Sequence, residues 1–478
     1  MRSNPTSLST ALAALLVAGL TPLVLAAPAS AATARYHDDF NGDGYRDLVT
    51  TAPSATVGGQ TGAGAVVVAY GSKSGISATR RTVVTQNSSG IPGTAERGDR
   101  FGSALASGDL NNDGYADLVV SAPGEDLGSD VDGGTVIIVW GSASGLSGGR
   151  TSADPAPTAH DLFGQSLTVG DFSGDGRPDL AVGSTGADLW VSKGGFTKAS
   201  GAASKYRVTA PIRTGRGATS LASGDVNGDG TADLVVSGAY LDDRTAYYAT
   251  MVYQGSASGL AQRTVLAEDS ETAAVGDINS DGYDDVLTGE YAGAAEGNLG
   301  GSVSTHLGGA TGVDPEPGRT IDQDTAGVPG ADETNDGFGW SLSLGDVNGD
   351  GYDDAAVSAH YEKIGSADLT GTVTLLRGSA SGLTTSGARS FSQDTDGVPG
   401  ASETNDHFGA AVHLADLDGD GHADLSVSAD GENGGDGALW HLRGAAAGLT
   451  TSRSVTFGPS SLGVSTSGSP RLGAVLLP

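Results

Sequence analysis

The chain has 478 residues, no cysteine and a formal net charge of −32. An acidic balance of this size excludes the usual nucleic-acid-binding proteins, which need a basic surface to neutralise phosphates. The absence of cysteine excludes disulfide frameworks and thiol catalysis, so the stability of the fold must come from other interactions.

The first residues predict a secretory signal peptide. Arg2 precedes an apolar stretch at residues 11–27, and residues 29–31 supply an Ala-Ser-Ala cleavage site. A membrane anchor is the alternative, but the apolar run is too short to span a bilayer. We therefore expect a signal peptide at residues 1–31 and a secreted, extracellular, monomeric chain at residues 32–478, without a membrane span.

A nine-residue motif, D-x-[DNS]-x-D-G-x-x-D, occurs seven times and first spans residues 39–47. Oxygen-bearing side chains stand at positions 1, 3, 5 and 9, and glycine at position 6 permits the positive φ of a sharp turn. Calcium takes several oxygen ligands, and such a loop can wrap the ion with alternate side chains and the backbone carbonyl of position 7. The repeat therefore predicts up to seven calcium ions. The alternative is seven acidic turns without metal, because Asp and Asn also favour turns.

The predicted calcium ligands are the residues at positions 1, 3, 5, 7 and 9 of the seven loops. They are Asp39, Asn41, Asp43, Tyr45, Asp47, Asp109, Asn111, Asp113, Tyr115, Asp117, Asp171, Ser173, Asp175, Arg177, Asp179, Asp225, Asn227, Asp229, Thr231, Asp233, Asp277, Asn279, Asp281, Tyr283, Asp285, Asp346, Asn348, Asp350, Tyr352, Asp354, Asp416, Asp418, Asp420, His422 and Asp424.

Position 12 distinguishes these loops from EF-hands, which need glutamate there and flanking helices. In this chain position 12 holds Thr50, Val120, Val182, Val236, Thr288, Val357 or Val427. Because threonine and valine favour strands, we expect the loops to connect β-strands.

Each loop belongs to a longer unit, because the motif starts lie 52–70 residues apart. A Phe-Gly pair stands eight residues before four of the motifs, as at residues 101–102. Strand-forming runs such as residues 134–140 and 81–85 follow, with Gly-Ser turns between them. Four strands in each of seven units predict an all-β, seven-bladed β-propeller with antiparallel blades. A linear β-solenoid is the alternative.

The Phe-Gly pairs, the acidic loops and the Ala-Pro steps, as at residues 101–102, 109–117 and 122–123, together resemble the FG-GAP repeat family. Its best-known member is the propeller head of integrin alpha subunits. The chain resembles a secreted, bacterial-type member of this family. The resemblance extends over nearly all of residues 35–477. It implies calcium loops between the first and second strands of each blade, on the lower face of the propeller. We do not expect an integrin subunit, because no leg domains follow.

Two features depart from the family pattern. Gly217-Ala218 and Asp269-Ser270 stand where the fourth and fifth units should have Phe-Gly, so we expect irregular inner strands there. Ser173 replaces asparagine at position 3 of the third loop, which predicts a weaker ion site.

The two ends of the chain predict how the ring closes. The first unit lacks a Phe-Gly strand, while residues 471–473 (Arg-Leu-Gly) match residues 100–102 (Arg-Phe-Gly). We expect residues 472–477 to form the inner strand of the first blade, next to residues 48–51.

No catalytic signature is present. Residues 141–145 have alanine where a nucleophile elbow needs serine, and no pair of the eight histidines has zinc spacing. The resemblance implies an adhesion role, so we expect a binding module for an unidentified surface protein or glycan, and not an enzyme. The alternative is a secreted hydrolase that acts on a polysaccharide or an ester.

The connections after the second and fourth strands should open on the face opposite the calcium loops, and they vary most. Loops on a rigid scaffold commonly carry binding. The candidate binding loops are residues 124–134, 240–247, 291–300, 361–371 and 431–437.

Two further patterns are interpreted as structural. The four tryptophans share no single repeat position, which favours the core over a sugar-binding role. Arg97-Gly98-Asp99 spells a tripeptide that integrins bind, but Asp336 and Asp406 align with its aspartate, so the match is attributed to chance.

Overall fold

The computed structural model describes Met1 and residues 34–241, 246–291 and 300–478. Apart from Met1, the predicted signal peptide lies outside these residues. The described residues form seven antiparallel sheets in which the strands follow chain order. The inner strands of successive sheets contact one another, as the blades of a propeller do. The predicted all-β, seven-bladed propeller is therefore confirmed.

The blades have the following strands. The first blade contains β1 (Leu48–Ala52), β2 (Ala65–Ala69) and β3 (Arg81–Val84). The second contains β4 (Leu105–Gly108), β5 (Asp117–Ala122), β6 (Thr135–Val139) and β7 (Gly149–Ser152). The third contains β8 (Leu167–Gly170), β9 (Asp179–Val182), β10 (Asp188–Lys193) and β11 (Ser204–Thr209). The fourth and fifth contain β12 (Ala218–Gly224), β13 (Asp233–Leu241), β14 (Ala246–Gln254) and β15 (Ala261–Glu268); and β16 (Thr272–Gly276), β17 (Asp285–Glu290), β18 (Ser302–His306) and β19 (Arg319–Ile321). The last two contain β20 (Phe338–Gly345), β21 (Asp354–Ala359), β22 (Thr372–Arg377) and β23 (Thr384–Phe391); and β24 (Phe408–Ala415), β25 (Asp424–Ala429), β26 (Ala438–Arg443) and β27 (Thr450–Phe457).

Two four-residue helices complete the described elements, α1 (Glu432–Gly435) and α2 (Pro459–Leu462). Within the described ranges, no helix has the length and apolar character that crossing a membrane requires.

Most residues in the middle strands of the blades are buried, because neighbouring blades cover these strands on both faces. Every residue of β5 and β6 is buried. Val49 and Val66 of the first blade share one hydrophobic cluster with Leu118 and Ile137 of the second. Burial on both faces explains why these strands are continuous apolar runs without polar alternation.

The Phe-Gly pairs mark the places where one blade packs on the next. The N–H of the buried Phe101 donates to the carbonyl of Ala63 in the preceding blade (2.9 Å). Gly102 has a φ of 99°. A β-carbon there would lie 3.1 Å from Thr51 Cβ. Both the backbone conformation and the space therefore require glycine at this position.

Leu472-Gly473 repeats this arrangement near the end of the chain. The N–H of Leu472 donates to the carbonyl of Asp436 (3.0 Å). Gly473 has a φ of 94°, and a β-carbon there would collide with the side chain of Ser428. Leu472 thus occupies the place that phenylalanine has in the Phe-Gly blades.

The residues after Gly473 run beside β1. The N–H of Thr51 donates to the carbonyl of Val475, and the N–H of Leu477 donates to that of Val49, both at 3.1 Å. The segment makes isolated bridges to its neighbours and has no regular strand of its own.

The expectation of irregular inner strands in the fourth and fifth blades holds only for the fourth. The pairing of β12 with β13 shifts register between Ala218 and Ser220, whereas β16 pairs with β17 without a shift. A shift also occurs in β20, between Phe338 and Leu342, where the Phe-Gly pair is present. Irregular pairing is therefore not a mark of blades that lack Phe-Gly.

Candidate metal centres

Each acidic loop folds around the carboxylate at position 1. Six of the loops lie between the first and second strands of a blade, and the first loop, at residues 39–47, directly precedes β1. In the first loop, Asp39 Oδ1 accepts the backbone N–H groups of Gly42 (2.7 Å) and Asp43 (3.2 Å), and Oδ2 accepts that of Gly44 (2.9 Å). The bond from position 6 to position 1 occurs in all seven loops. The glycine at position 6 has a φ between 77° and 91° throughout, as expected.

Position 5 is oriented by the same kind of local bond. Asp43 Oδ1 accepts the N–H of Tyr45 (3.2 Å), and the N–H of Asp43 donates to Asn41 Oδ1 (2.8 Å). The bond from position 7 to position 5 also occurs in every loop. The local hydrogen bonds thus orient the side chains of positions 1 and 5 in every loop, and that of position 3 in the first, fourth and fifth loops.

The last loop brings three carboxylates together. Oxygens of Asp416, Asp418 and Asp420 lie within 4.8 Å of one another. Asp418 Oδ1 is buried without a hydrogen-bond partner, and Arg443 Nη1 lies 2.8 Å from Asp418 Oδ2. Carboxylates this close repel one another unless a cation or a proton compensates them. Such a set of oxygen donors is the kind that calcium takes, so these residues fit the ion.

Position 9 has a second role that was not predicted. Asp47 is buried, and its Oδ1 accepts the N–H of Gly71 (2.9 Å) while Oδ2 accepts that of Phe40 (3.0 Å). An equivalent bond occurs in all seven blades, from the glycine after the third strand in the four-stranded blades and from Gly71 after β2 in the first. Position 9 therefore ties the acidic loop to the turn between the third and fourth strands.

Burial also makes the position-9 carboxylates hard to ionise. It raises the pKa to about 8 for Asp47, to about 7 for Asp117, Asp233, Asp285 and Asp424, and to about 6 for Asp179 and Asp354. The hydrogen bonds from backbone N–H groups oppose this shift without cancelling it. A neighbouring cation would favour the charged form.

Side-chain nitrogen groups, one of them a lysine ammonium, contact some of the predicted calcium ligands. Asn111 Nδ2 donates to Asp117 Oδ2 (3.0 Å), so the position-3 amide presents a donor to position 9. Lys198 Nζ lies 3.1 Å from Asp113 Oδ2. These contacts partly offset the charge of the loops.

Position 7 was predicted to contribute only its carbonyl, but its side chain contacts the neighbouring loop. A β-carbon at Gly42 would lie 2.6 Å from the ring of Tyr115, and one at Gly228 would lie 2.7 Å from that of Tyr283. Neighbouring loops also share a backbone bond, as from Ala116 N–H at position 8 to the carbonyl of Asp39 (3.1 Å). The loops form a belt on one face of the propeller, which we call the lower face.

Five pairs of neighbouring loops in the described chain share this bond from position 8 to position 1. The donors are Ala116, Ala232, Asp284, Asp353 and Ala423. Position 8 of the third loop is Pro178, which has no N–H to donate. The belt therefore lacks this bond between the second and third loops.

The candidate binding loops lie partly outside the described residues, which end at residue 241 and resume at 246, and end at 291 and resume at 300. Among the described large hydrophobic side chains, Leu127, Val131 and Leu369 are exposed, and all three belong to the loops at residues 124–134 and 361–371. These loops follow the second strand of a blade. They therefore lie at the opposite end of the antiparallel blade from the acidic loops, on what we call the upper face.

The four tryptophans and the Arg-Gly-Asp tripeptide, which were interpreted as structural, differ in how deeply their side chains are buried. Trp140 and Trp440 are buried, whereas Trp190 and Trp340 are half-buried. Asp99 is buried and its Oδ2 accepts the N–H of Glu96, so the Arg-Gly-Asp tripeptide does not present its carboxylate.

The structure assembles one cluster that sequence spacing did not predict. The rings of His360 and His407 lie 4.6 Å apart between centroids, and Trp340 stacks on His360 at 4.5 Å. His407 Nδ1 lies 3.4 Å from Asp430 Oδ1, and Arg471 pairs with the same aspartate. Residues this far apart in the sequence give no local signal of such a contact.

The pKa values of both His360 and Asp430 in this cluster are lower than usual. Burial, and then the neighbouring His407, lower the pKa of His360 to about 3. Burial alone would raise the pKa of Asp430, but the close approach of His407 and the charge of Arg471 together lower it. Asp430 is thus held as a carboxylate beside a neutral His360.

Comparison with known proteins identifies repeats that match these blades. The model for the FG-GAP repeat matches residues 37–68, 101–139, 338–376 and 408–442, and the model for the FG-GAP-like repeat matches residues 171–236. Each matched segment contains one or two of the acidic loops described above.

Several relatives are similar to part of the chain. Integrin alpha-PS5 of Drosophila melanogaster is 36% identical over 159 residues, which cover 32% of this chain and 14% of the relative. Phosphatidylinositol-glycan-specific phospholipase D of Homo sapiens is 37% identical over 160 residues, which cover 30% of this chain and 19% of the relative. Integrin alpha-IIb of Mus musculus is 37% identical over 157 residues, which cover 31% and 14%.

The similar region spans less than a fifth of the length of each of these relatives. The similarity therefore concerns the repeats and not the remaining parts of the relatives. The chain thus carries FG-GAP repeats and is homologous, through these repeats, to integrin alpha subunits.

Proposed function

We propose that this chain is a secreted, calcium-stabilised propeller that binds a surface protein or a glycan through its upper face. The observation that carries the proposal is the common hydrogen-bond pattern of the seven acidic loops, which orients carboxylates around one turn in each blade. Loops with this set of oxygen donors suit calcium better than smaller or softer cations.

The ions would be held by the side chains at positions 1, 3 and 5 and the carbonyl at position 7. Bound calcium would supply positive charge where acidic side chains crowd. Position 9 would complete the site, because a carboxylate oxygen keeps a lone pair after accepting one N–H group, as in Asp47, whose two oxygens each accept one backbone N–H. The protein itself holds neighbouring loops in contact through five of the side chains at position 7, which are Tyr45, Tyr115, Thr231, Tyr283 and His422.

The upper face has the exposed apolar groups that a binding surface needs. Leu127 and Val131 project from one loop and Leu369 from another, with Val131 67% exposed. These side chains lie in two blades that are not adjacent, so the pair Leu127 and Val131 marks the candidate loop, and loops on a rigid scaffold commonly carry binding. The adhesion role of integrins supports a protein or glycan partner for this face.

A screen of glycans and surface proteins, run with calcium and with excess chelator, tests this function. We expect a partner whose binding falls at least tenfold in Val131→Asp. The matched control is Val455→Asp, which changes an exposed valine on β27, outside these loops. Equal binding by both variants would contradict the assignment of the upper face.

A hydrolase is the second candidate, and one observation favours it. His407 and Asp430 form the kind of pair that positions a general base, next to Tyr361 and His360. Turnover of a polysaccharide or ester substrate that is abolished in His407→Ala but retained in Val455→Asp would favour this candidate.

We also infer that residues 1–31 are removed on export. The apolar stretch and the Ala-Ser-Ala sequence at residues 29–31 support this. Mass spectrometry of protein from the medium should find an N-terminus at Ala32. A chain that retains residues 1–31 in the medium would contradict the inference.

A further inference from the structure

The upper face carries an acidic cluster that the lower-face loops do not include. Glu333, Asp336 and Glu362 each place one carboxylate oxygen within 4.8 Å of the other two. Asp336 and Glu362 are buried and Glu333 is exposed, so the cluster opens to solvent on one side. Asp336 Oδ2 accepts the N–H of Glu333 (2.9 Å), which holds these two residues together.

A buried glutamine points to a ligand for this cluster. Gln323 is 2% exposed, and its Nε2 donates to Glu362 Oε2 (2.6 Å). Its Oε1 is buried without a hydrogen-bond partner, in an amide that contacts the cluster. A buried acceptor without a donor is unfavourable. Rotation of the amide by 180° would bring this oxygen towards Glu362, but two such oxygens repel each other unless a cation lies between them.

The same bond between a glutamine and a glutamate occurs at two more blade junctions, whose carboxylates are less closely grouped. Gln86 donates to Glu125 Oε2 and Gln393 to Glu432 Oε2, each at 2.6 Å and each across 39 residues, as in the first case. In both glutamines Oε1 is again buried and without a partner. The residues that correspond to Glu333 and Asp336 are Glu96 and Asp99 in one copy, and Glu403 and Asp406 in the other.

We propose that these three clusters are upper-face sites for a divalent cation, and that Glu333, Asp336, Glu362 and Gln323 form the best-assembled one. Carboxylate and amide oxygens are the ligands of a hard cation, and calcium accepts such an irregular set together with water. The carboxylates would bind directly, and the amide of Gln323 would rotate so that Oε1 joins them. This proposal is independent of the lower-face loops.

Such an ion would join two blades. Gln323 follows β19 at the outer edge of the fifth blade, while Glu362 follows β21 in the middle of the sixth. The ion would therefore connect the end of one blade to the upper loop of the next. The junction before Phe163 provides an internal control, because residues 183–187 there (Gly-Ser-Thr-Gly-Ala) contain no glutamate to match Glu125.

The first test is an anomalous difference map from crystals of the mature chain in which terbium replaces calcium. We expect peaks at the three clusters and none beside Gly186. The same map reports on the lower-face loops, so failure of the upper-face proposal can be distinguished from failure of the calcium loops. Occupied loops without any peak at Glu333, Asp336 and Glu362 would overturn the proposal.

The second test counts bound calcium by equilibrium dialysis. Glu362→Gln preserves the shape of the side chain and should bind one ion fewer than the wild type. The control, Glu316→Gln, changes an exposed glutamate outside the clusters and should bind the same number. An unchanged count in Glu362→Gln would also overturn the proposal. If this variant does not fold, the wild-type map decides alone.

Discussion

The ring of Tyr115 packs on Gly42 of the preceding loop so closely that a β-carbon at Gly42 would lie 2.6 Å from Tyr115 Cε1. This contact explains why glycine suits position 4 of the first loop, for which the calcium pattern gives no reason. It also makes the stability of one loop depend on the next.

Gly42→Ala should therefore destabilise the propeller more than Gly44→Ala. Both glycines have positive φ, at 68° and 87°, but only Gly42 has an atom in the way of a β-carbon. Overpacking of this kind costs about 1–3 kcal/mol. Urea unfolding in excess chelator measures the difference between the two variants.

A double variant separates the packing effect from backbone strain. Adding Tyr115→Ala should remove most of the extra cost of Gly42→Ala, since the two residues are in contact. If Gly42→Ala and Gly44→Ala unfold at the same urea concentration, the contact between the loops does not matter for stability.

Calcium removal should lower the melting temperature strongly. A ligand present at 100 times its Kd stabilises the folded state by about 2.7 kcal/mol for each site. Calorimetry with excess chelator should show the fall, with recovery on adding calcium and little recovery with magnesium, which prefers tighter octahedral sites. A melting curve that chelator leaves unchanged would contradict structural calcium.

Single loops should differ in how much they bind. Asp113→Ala removes a charged side chain at position 5, whereas Ser173→Ala removes a neutral hydroxyl at position 3. Asp113→Ala should therefore weaken calcium binding at its loop more, as titration calorimetry can measure. Equal losses would show that charge at these positions is not decisive.

Glu271 should make stability depend on pH. Burial raises its pKa from 4.5 to about 8. The folded chain therefore keeps a proton that the unfolded chain releases. The retained proton makes its full contribution to the free energy of unfolding below about pH 4.5, and this contribution is lost as the pH rises to about 8. The slope is at most about 1.4 kcal/mol for each pH unit.

Glu271→Gln removes this effect, because the amide has no proton to lose and can still accept the N–H of Tyr291. The unfolding free energy of wild type minus that of the variant should fall between pH 4.5 and 8 and level off outside. A difference that stays constant across this range would contradict the raised pKa.

We propose that residues 472–477 close the ring, and truncation tests it. Ending the chain at Ser469 removes the buried Leu472 and Leu477 and the bonds to β1. Leu472→Ala alone should cost about 2–5 kcal/mol, whereas Val455→Ala, at an exposed position, should cost little. A truncated chain that melts like the full one would show that the ring does not depend on this segment.

The fold could be predicted because its signals are local and repeated. The acidic motif, the Phe-Gly pairs and the apolar runs recur in register, so seven copies support one another. Leu472-Gly473 could be aligned with Phe101-Gly102 for the same reason. The irregular form of residues 472–477 was not predicted, because bridging depends on the neighbouring strand and not on local sequence.

The contacts between distant residues could not be predicted in this way. The bond from Gly71 to Asp47 and the packing of Tyr115 on Gly42 join different parts of a unit or different units. His360 and His407 meet only because two blades are adjacent. Such contacts follow from the closed ring, which single motifs do not specify.

Pro178 has a mechanical consequence. Because it cannot donate to Asp109, the second and third blades are joined on the lower face without a bond that five neighbouring pairs of described loops have. Under a pulling force, or during slow opening in solution, this seam should separate early. Amide hydrogens along β4 and β8 would then exchange with solvent sooner than those along β20 and β24.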